Sequence, residues 1–554
     1  MLCVRQSHQC ATQSVQGSLS VLAGMNIVWS VLLNAREKML RSSWTGRSLL
    51  VAFLLLYIGA ALPILSVQVP PLGDYANHLS RMFIIAAGQG DPFLSTYYKV
   101  KWAIIPNLAM DVLVPPLLKV LDIYMAGKLF VLLVIFVLVS GPMMLNRVVT
   151  GRFSPVPLLA FGFIYNGFFM IGLMNYLFGV GLAVWATALW IWSRTRSPLF
   201  IVLQAVSFTV ILFFCHLYAV GLYILAVGSY ELWAWSHRAF RFDRRLWGLI
   251  LLLLTLLALV LTLLLSGPTW SLSGVYDWDD QGKIEGLAAI FRLYDDKFDL
   301  VVLFAFLAGL GFGLSGRLVH LHPAGLACLA LSALAYLVMP ATLFGSMMAD
   351  QRMPIAILMF AIGFVRVDLH SDRVRLGFVI ILVAICFVRY GEVGRHWQQI
   401  ELFVREFNEG LSKIERGARV MVAQADEPDG TVSINDGLSH VPCLAIIERS
   451  ALVSTAFTVK GKQILGVKAP FSEIVDHDDG FLPIMSQLIA AESQTPANDP
   501  FWATWFKDHD YVVEMFGGSE AINPDPDHLE LVYKSQKFQI FRVLKVDDDE
   551  ESGK

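Results

Sequence analysis

Apolar residues in this chain run in long blocks instead of recurring at helical or alternating spacing. Such blocks lie near residues 48–67, 125–146, 155–172, 175–193, 198–215, 218–235, 246–267, 299–316, 323–343, 353–366 and 376–390. A helix needs about 20 mostly apolar residues to cross roughly 30 Å of hydrocarbon, because no water there satisfies a free backbone N–H or C=O. The pattern therefore predicts a polytopic α-helical membrane protein with about 11 transmembrane helices. The stretch "WAIIPNLAMDVLVPPLLKVL", residues 102–121, is apolar as well, but Pro115, Pro116, Asp111 and Lys119 suit a helix lying on the membrane surface.

Basic residues orient the chain. With the N-terminus inside, the inner connections hold Arg147 and Arg152, Arg194 and Arg196, Arg238, Arg241, Arg244 and Arg245, Arg317, and Arg373 and Arg375. The short outer connections near 173, 216 and 344–352 hold only Arg352. Counting 102–121 as a further span would invert this asymmetry. Residues 68–124 then form one large periplasmic loop with two or three interfacial helices, 268–298 form a second, and an odd number of spans leaves everything after Tyr390 outside.

From 391 to 546 the composition changes to that of a soluble domain. The runs "GARVMVA", "CLAIIE" and "FQIFRVL" read as short strands with helical and loop segments between them, a small periplasmic α/β domain. Residues 547–554, "DDDEESGK", read as an acidic, solvated tail. Residues 1–47 read as a cytoplasmic or interfacial leader without a cleavage pattern, with Met25 or Met39 as alternative starts.

Composition agrees: of 554 residues, 56% are hydrophobic and 16% charged, and the mean hydropathy is +0.60, which excludes an ordinary soluble protein. A net charge of −3 gives no footprint for nucleic acid. The six cysteines show no metal or disulfide spacing.

Candidate chemistry gathers at the outer ends of the spans. In "VPPLGDYANHLSR", residues 69–81, a helix opening near Asp74 brings Asp74, His78 and Arg81 to one face at i, i+4 and i+7. The bland alternative makes Asp74 a helix N-cap, as Asp91 is in "GDPF", with His78 and Arg81 on lipid headgroups. In "YDWDDQGKIEG", Asp277, Asp279 and Asp280 suit sugar hydroxyls or a divalent cation such as Mg or Mn, or are solvated loop charges. Asp295 and Asp296 form a weaker cluster of the same kind. Arg352 suits a phosphate, or snorkels beside Asp350; His216 is a site residue or a structural one. Asn166 and Asn175, in apolar surroundings, are expected to bond neighbouring helices. No acid or histidine chain crosses the membrane region, which weakens a proton-coupled pump.

This layout resembles the GT-C superfamily of membrane glycosyltransferases, which use polyprenyl-phosphate-linked sugars and include protein O-mannosyltransferases, the aminoarabinose transferase of lipid A and oligosaccharyltransferases. The resemblance covers the architecture of roughly the first 390 residues and rests on the motif "GDYANHLSR". It implies that Asp74 activates the acceptor, that Asp279 and Asp280 stand where a second acidic site lies, and that Arg352 holds the donor phosphate. Many members carry two adjacent acids where this chain has Gly-Asp-Tyr. The expected activity is inverting transfer of a hexosyl or pentosyl group from a lipid-linked donor to an envelope glycan, lipid or protein at the periplasmic face of a bacterial inner membrane. Asp74 would be the base, His78 would orient it, and Arg81 or Arg352 would take the phosphate charge, with Asp350 and His216 as further substrate-binding candidates. An oligosaccharide polymerase or ligase, and a non-enzymatic flippase, are the competing readings. Internal repeats and broken helices at mid-membrane would favour a transporter.

Overall fold

The computed structural model describes residues 46–237, 242–279, 281–426, 437–477, 480, 482–493, 500–517 and 522–545. The expected leader up to residue 45, Asp280 and the acidic tail lie outside them. Long apolar runs become long helices, because in hydrocarbon only a helix pairs all its backbone groups within one segment. Among the described residues eight helices are long and apolar enough to cross: Gly46–Leu65, Ile123–Thr150, Met174–Ser193, Pro198–Cys215, Leu217–Ser236, Leu246–Ser266, Asp296–Ser315 and Asp372–Leu411. Pro323–Leu337 and Met353–Phe364 are shorter apolar helices. Side chains such as Leu50, Leu54, Leu254, Leu257 and Phe304 stand exposed on the flanks, as a lipid-facing surface requires. The chain is a multi-pass membrane protein.

The expected span 155–172 departs from a regular helix. It forms a 3-10 helix, Val156–Phe163, and then a short α-helix, Gly167–Ile171. Pro155 and Pro157 sit at its N-cap and in its first turn, where a missing N–H breaks no helix bond. A 3-10 helix rises about 2.0 Å per residue against 1.5 Å, so the short stretch reaches far. It still connects opposite ends of the bundle: a Cβ at Gly46 would lie 3.5 Å from the Phe153 ring, and one at Gly172 would lie 2.9 Å from the Asp74 nitrogen.

The boundary read at residue 391 is not a structural one. Asp372–Leu411 is a single 40-residue helix, about 60 Å long at 1.5 Å per residue, twice the hydrocarbon thickness. Its apolar first half crosses and its charged second half carries the chain into the C-terminal domain, so composition changes inside one helix.

That domain is a five-stranded sheet in the order Leu529–Lys534, Phe538–Val543, Tyr511–Met515, Arg419–Gln424, Leu452–Val453. The first two junctions are antiparallel and the last two parallel. One face packs on the exit of the long helix, where Phe403 and Phe407 meet Phe538 with ring centroids 5.4 and 5.0 Å apart. The other buries Met421, Leu488, Trp505 and Phe541.

The first loop carries the helices Tyr75–Ala87, Pro92–Tyr97 and Ala109–Leu113 and the 3-10 turn Pro115–Lys119, so residues 102–121 form no continuous helix. This loop and the C-terminal domain are built together. Tyr98–Val100 pairs antiparallel with Leu465–Val467. Asp91 caps Pro92–Tyr97 and also accepts from Arg416 and Ser450, at 3.0 and 2.7 Å. Tyr97 Oη donates to the Gly417 carbonyl at 2.5 Å. Both therefore lie at the same end of the helices. At the other end Val319–Leu321 pairs with Val365–Val367, and Asn146 Nδ2 donates to the Val365 carbonyl at 2.6 Å.

The pairing of Lys99 with Gly466 predicts that Lys99→Cys combined with Gly466→Cys forms a disulfide in the membrane-inserted chain, since paired Cα atoms fall within the bridgeable range of about 4.4–6.8 Å. Gel-shift analysis with and without reductant checks this. Absence of the bridge while each cysteine still reacts with a maleimide would contradict the docking.

Candidate functional site

Two backbone contacts hold Asp74. Gly73 N–H donates to the Met170 carbonyl and Asp74 N–H to that of Ile171, both at 2.8 Å. The two strands of backbone approach so closely that a Cβ at Gly73 would fall 2.6 Å from the Ile171 oxygen. Gly172, at φ +93°, ends the short helix in a conformation that favours glycine. Asp74 stands at the N-cap of Tyr75–Ala87, yet its carboxylate makes no capping hydrogen bond. With its side chain 27% exposed, that carboxylate instead faces the imidazole of His440, with Nε2 3.8 Å from Oδ1.

His440 comes from the C-terminal domain, which the sequence reading left without a site. Asn77, one turn after Asp74, reaches the same place. Its Oδ1 accepts from Phe457 N–H at 3.0 Å, and its Nδ2 donates to the Thr455 carbonyl at 2.9 Å and lies 3.4 Å from His440 Nδ1. The His440 ring meets Phe457 at 4.7 Å between centroids. Burial pushes the His440 pKa down to about 4, so the ring is neutral at pH 7.

His78 and Arg81 share the helix but not an open surface. The His78 ring packs against Phe457 at 5.9 Å, and its pKa is held well below the ordinary value by burial and then by the Arg81 charge. The imidazole against Asp74 is thus His440 and not His78. Arg81 Nε and Nη2 donate to Asp111 Oδ1 and Oδ2 at 2.8 and 3.0 Å, with both side chains 1% exposed. Arg81 and the lone acid of the apolar 102–121 stretch form an internal tie, and the guanidinium expected on a phosphate or headgroup is buried.

A second cluster flanks the start of helix Met174–Ser193. Arg352 Nη1 lies 3.3 Å from His216 Nε2, and Nη2 donates to the Met347 carbonyl at 2.7 Å. Tyr176 Oη donates to the Arg352 carbonyl, and its ring meets that of His216 at 5.3 Å. His216 Nδ1 also accepts from Tyr218 N–H, which caps Leu217–Ser236. Asp350 pairs with Lys283 at 3.1 Å instead of with Arg352. Asn175 joins this end to the first loop, accepting from Met110 N–H at 2.9 Å and donating to the Asn107 carbonyl at 2.8 Å. Asn166 caps Gly167–Ile171.

Asp277 and Asp279 are exposed, each accepting from a local backbone N–H, of Trp278 and Gln281 respectively. Among the described residues no three His, Cys, Asp or Glu side chains gather as a metal site.

No family model matches this chain and no curated protein does. Two solved structures are similar in fold. The crystal structure of ArnT from Cupriavidus metallidurans bound to undecaprenyl phosphate is 11% identical, with a TM-score of 0.45 over 91% of this chain and 99% of that one. The same protein in the apo state is 10% identical, with a TM-score of 0.44 over 94% and 99%. Likeness at that level leaves function to be argued from the site itself.

Two stability predictions follow from the buried groups. Arg81→Met leaves Asp111 buried and uncompensated and is expected to cost about 3–5 kcal/mol, whereas adding Asp111→Leu recovers most of it; denaturant unfolding of single and double variants measures both. His440 and His509 are each pushed down to about 4 by burial. Their folded pKa lies below the unfolded one, so their contribution is full above about 6.5 and is lost as pH falls toward 4, on the order of 3 kcal/mol each. Glu514, pushed up to about 7 by burial, acts in the opposite direction. Two groups against one should lower the unfolding temperature between pH 7 and pH 5, and a rise would contradict the assignment.

Proposed function

We propose that this chain is a membrane glycosyltransferase that moves a sugar from a polyprenyl-phosphate donor to an envelope glycan, lipid or protein. The observation that carries this reading is the Asp74 carboxylate, half-open at the seam between the membrane helices and the C-terminal domain and not used to cap its helix. The anomeric carbon of a lipid-phosphate sugar lies at the membrane surface, so a base for such a reaction must lie at the helix ends, as Asp74 does. The gathering of Arg147, Arg152, Arg194, Arg196, Arg317, Arg373 and Arg375 at the opposite end supports a periplasmic position for the site in a bacterial inner membrane.

In this reaction the acceptor hydroxyl oxygen attacks the anomeric carbon as the bond from that carbon to the phosphate oxygen breaks. Asp74 takes the hydroxyl proton, polyprenyl phosphate departs with the bonding electrons, and the proton passes to solvent. One displacement inverts the anomeric centre. Arg352, steadied by His216 and the Met347 carbonyl, supplies positive charge for the phosphate in a buried setting where such charge acts strongly. Lys283 and Asp350 brace the adjoining connection.

Asp74→Asn keeps the shape of the side chain but cannot take a proton. It is expected to lower transfer by about 10² to 10⁴ while the lipid donor still binds. Mass spectrometry of glycolipids and envelope glycans in a deletion strain, complemented with wild type or the variant, checks this: the variant should accumulate sugar-charged polyprenyl phosphate. Full complementation by Asp74→Asn would remove Asp74 as the base.

A further inference from the structure

We propose that the C-terminal domain completes the site, with His440, set as its Nε2–H tautomer by Asn77, acting as the positioning residue for the Asp74 carboxylate. This rests on the reading of Asp74 as the base, and it gives the domain a part in the reaction beyond docking.

The tautomer follows from the hydrogen bonds of one amide. Phe457 N–H donates to Asn77 Oδ1 at 3.0 Å, and Asn77 Nδ2 donates to the Thr455 carbonyl at 2.9 Å. Turning the amide over would set two donors against each other at Phe457 and two acceptors at Thr455, so its orientation is determined. The second Nδ2 hydrogen then faces His440 Nδ1, 3.4 Å away. A donor facing Nδ1 requires a lone pair there, and a neutral imidazole with its lone pair on Nδ1 carries its hydrogen on Nε2. Nε2 is the atom turned toward Asp74, at 3.8 Å.

The ring has little freedom to turn away. Phe457 stands edge-on to one side. Gly480, at φ +94°, lies so close that a Cβ there would fall 2.6 Å from His440 Cε1. The Gly480 turn is held by its own N–H donating to Asp476 Oδ2 at 2.6 Å. Among the described residues, the titratable groups around the pair are Asp74 at the helix start, His78 and Arg81 on the next two turns, and Asp476 behind the glycine. Arg81 is already paired with Asp111, and His78 is buried and neutral.

A neutral N–H suits a base better than a cation would. A charged imidazole would hold Asp74 in an ion pair and draw down its basicity, whereas an N–H dipole favours the ionised carboxylate modestly and fixes its direction. The 3.8 Å separation is longer than a hydrogen bond, and such contacts commonly tighten when substrate fills the site. Removing the donor should therefore slow the chemical step and raise the pH at which Asp74 loses its proton.

The test uses the full-length chain in proteoliposomes with sugar-charged polyprenyl phosphate and an envelope glycolipid extract as the source of acceptor hydroxyls, following release of free polyprenyl phosphate between pH 4.5 and 8. His440→Asn keeps an acceptor toward Asn77 but withdraws the donor from Asp74. It is expected to lower kcat by up to about 100-fold with KM little changed, and to move the acid limb to higher pH. His440→Gln brings an amide N–H to the Nε2 position and should restore much of the rate. Wild-type turnover in His440→Asn beside an inactive Asp74→Asn would overturn the positioning role and leave the base standing, whereas an active Asp74→Asn would overturn both. If the His440 variants fail to fold, ¹⁵N-histidine spectra of the unaltered chain decide: Nδ1 unprotonated supports the proposal, and Nδ1 protonated overturns it.

Discussion

The site depends on two pieces of backbone touching without a side chain between them. Gly73 and Asp74 give their N–H groups to the carbonyls of Met170 and Ile171, and glycine at 73 and 172 is what permits the approach. The 3-10 crossing brings residues 170–172 to this point. Irregular backbone at membrane depth is tolerable only when enclosed by protein, and Val156, Leu158, Phe161, Ile164 and Phe168 are all 0% exposed. The least regular crossing is thus enclosed by protein, and it ends against the acid.

The C-terminal domain extends this arrangement. It shares a two-stranded sheet with the first loop, and Ser80 Oγ donates to the Cys443 carbonyl at 2.7 Å. Those bonds tie helix Tyr75–Ala87 to the segment that carries His440, so a shift of the domain would move the imidazole relative to Asp74. The 40-residue helix joins the same domain to the membrane from below. Two connections far apart in sequence therefore fix one short distance.

Much of this was legible before the structure. Apolar runs marked the spans because hydrocarbon imposes one requirement on all of them, and the basic connections ordered their ends. Hydropathy reports burial and not backbone type, so the 3-10 form of 156–163 was hidden. The boundary at 391 was a change of solvent and not of secondary structure. Asp74 stood out because a lone acid followed a span. Asn77 lay in the same quoted motif, but its amide meets a histidine 363 residues away, a distance that no spacing rule covers. His440 had no neighbouring motif to mark it. Asp111 was visible as an acid in an apolar stretch; the demand that such an acid find a cation was the available clue to Arg81.

Asp74 and Asp111 show how one loop gives two carboxylates opposite fates. Asp111 is withdrawn from water and balanced by two hydrogen bonds from a guanidinium, so proton transfer there would leave a buried positive charge without compensation. Asp74 faces a neutral ring, keeps some access to solvent and has no capping duty. The Arg81–Asp111 tie thus serves the site indirectly, by holding the nearest cation on the helix against Asp111 and away from Asp74.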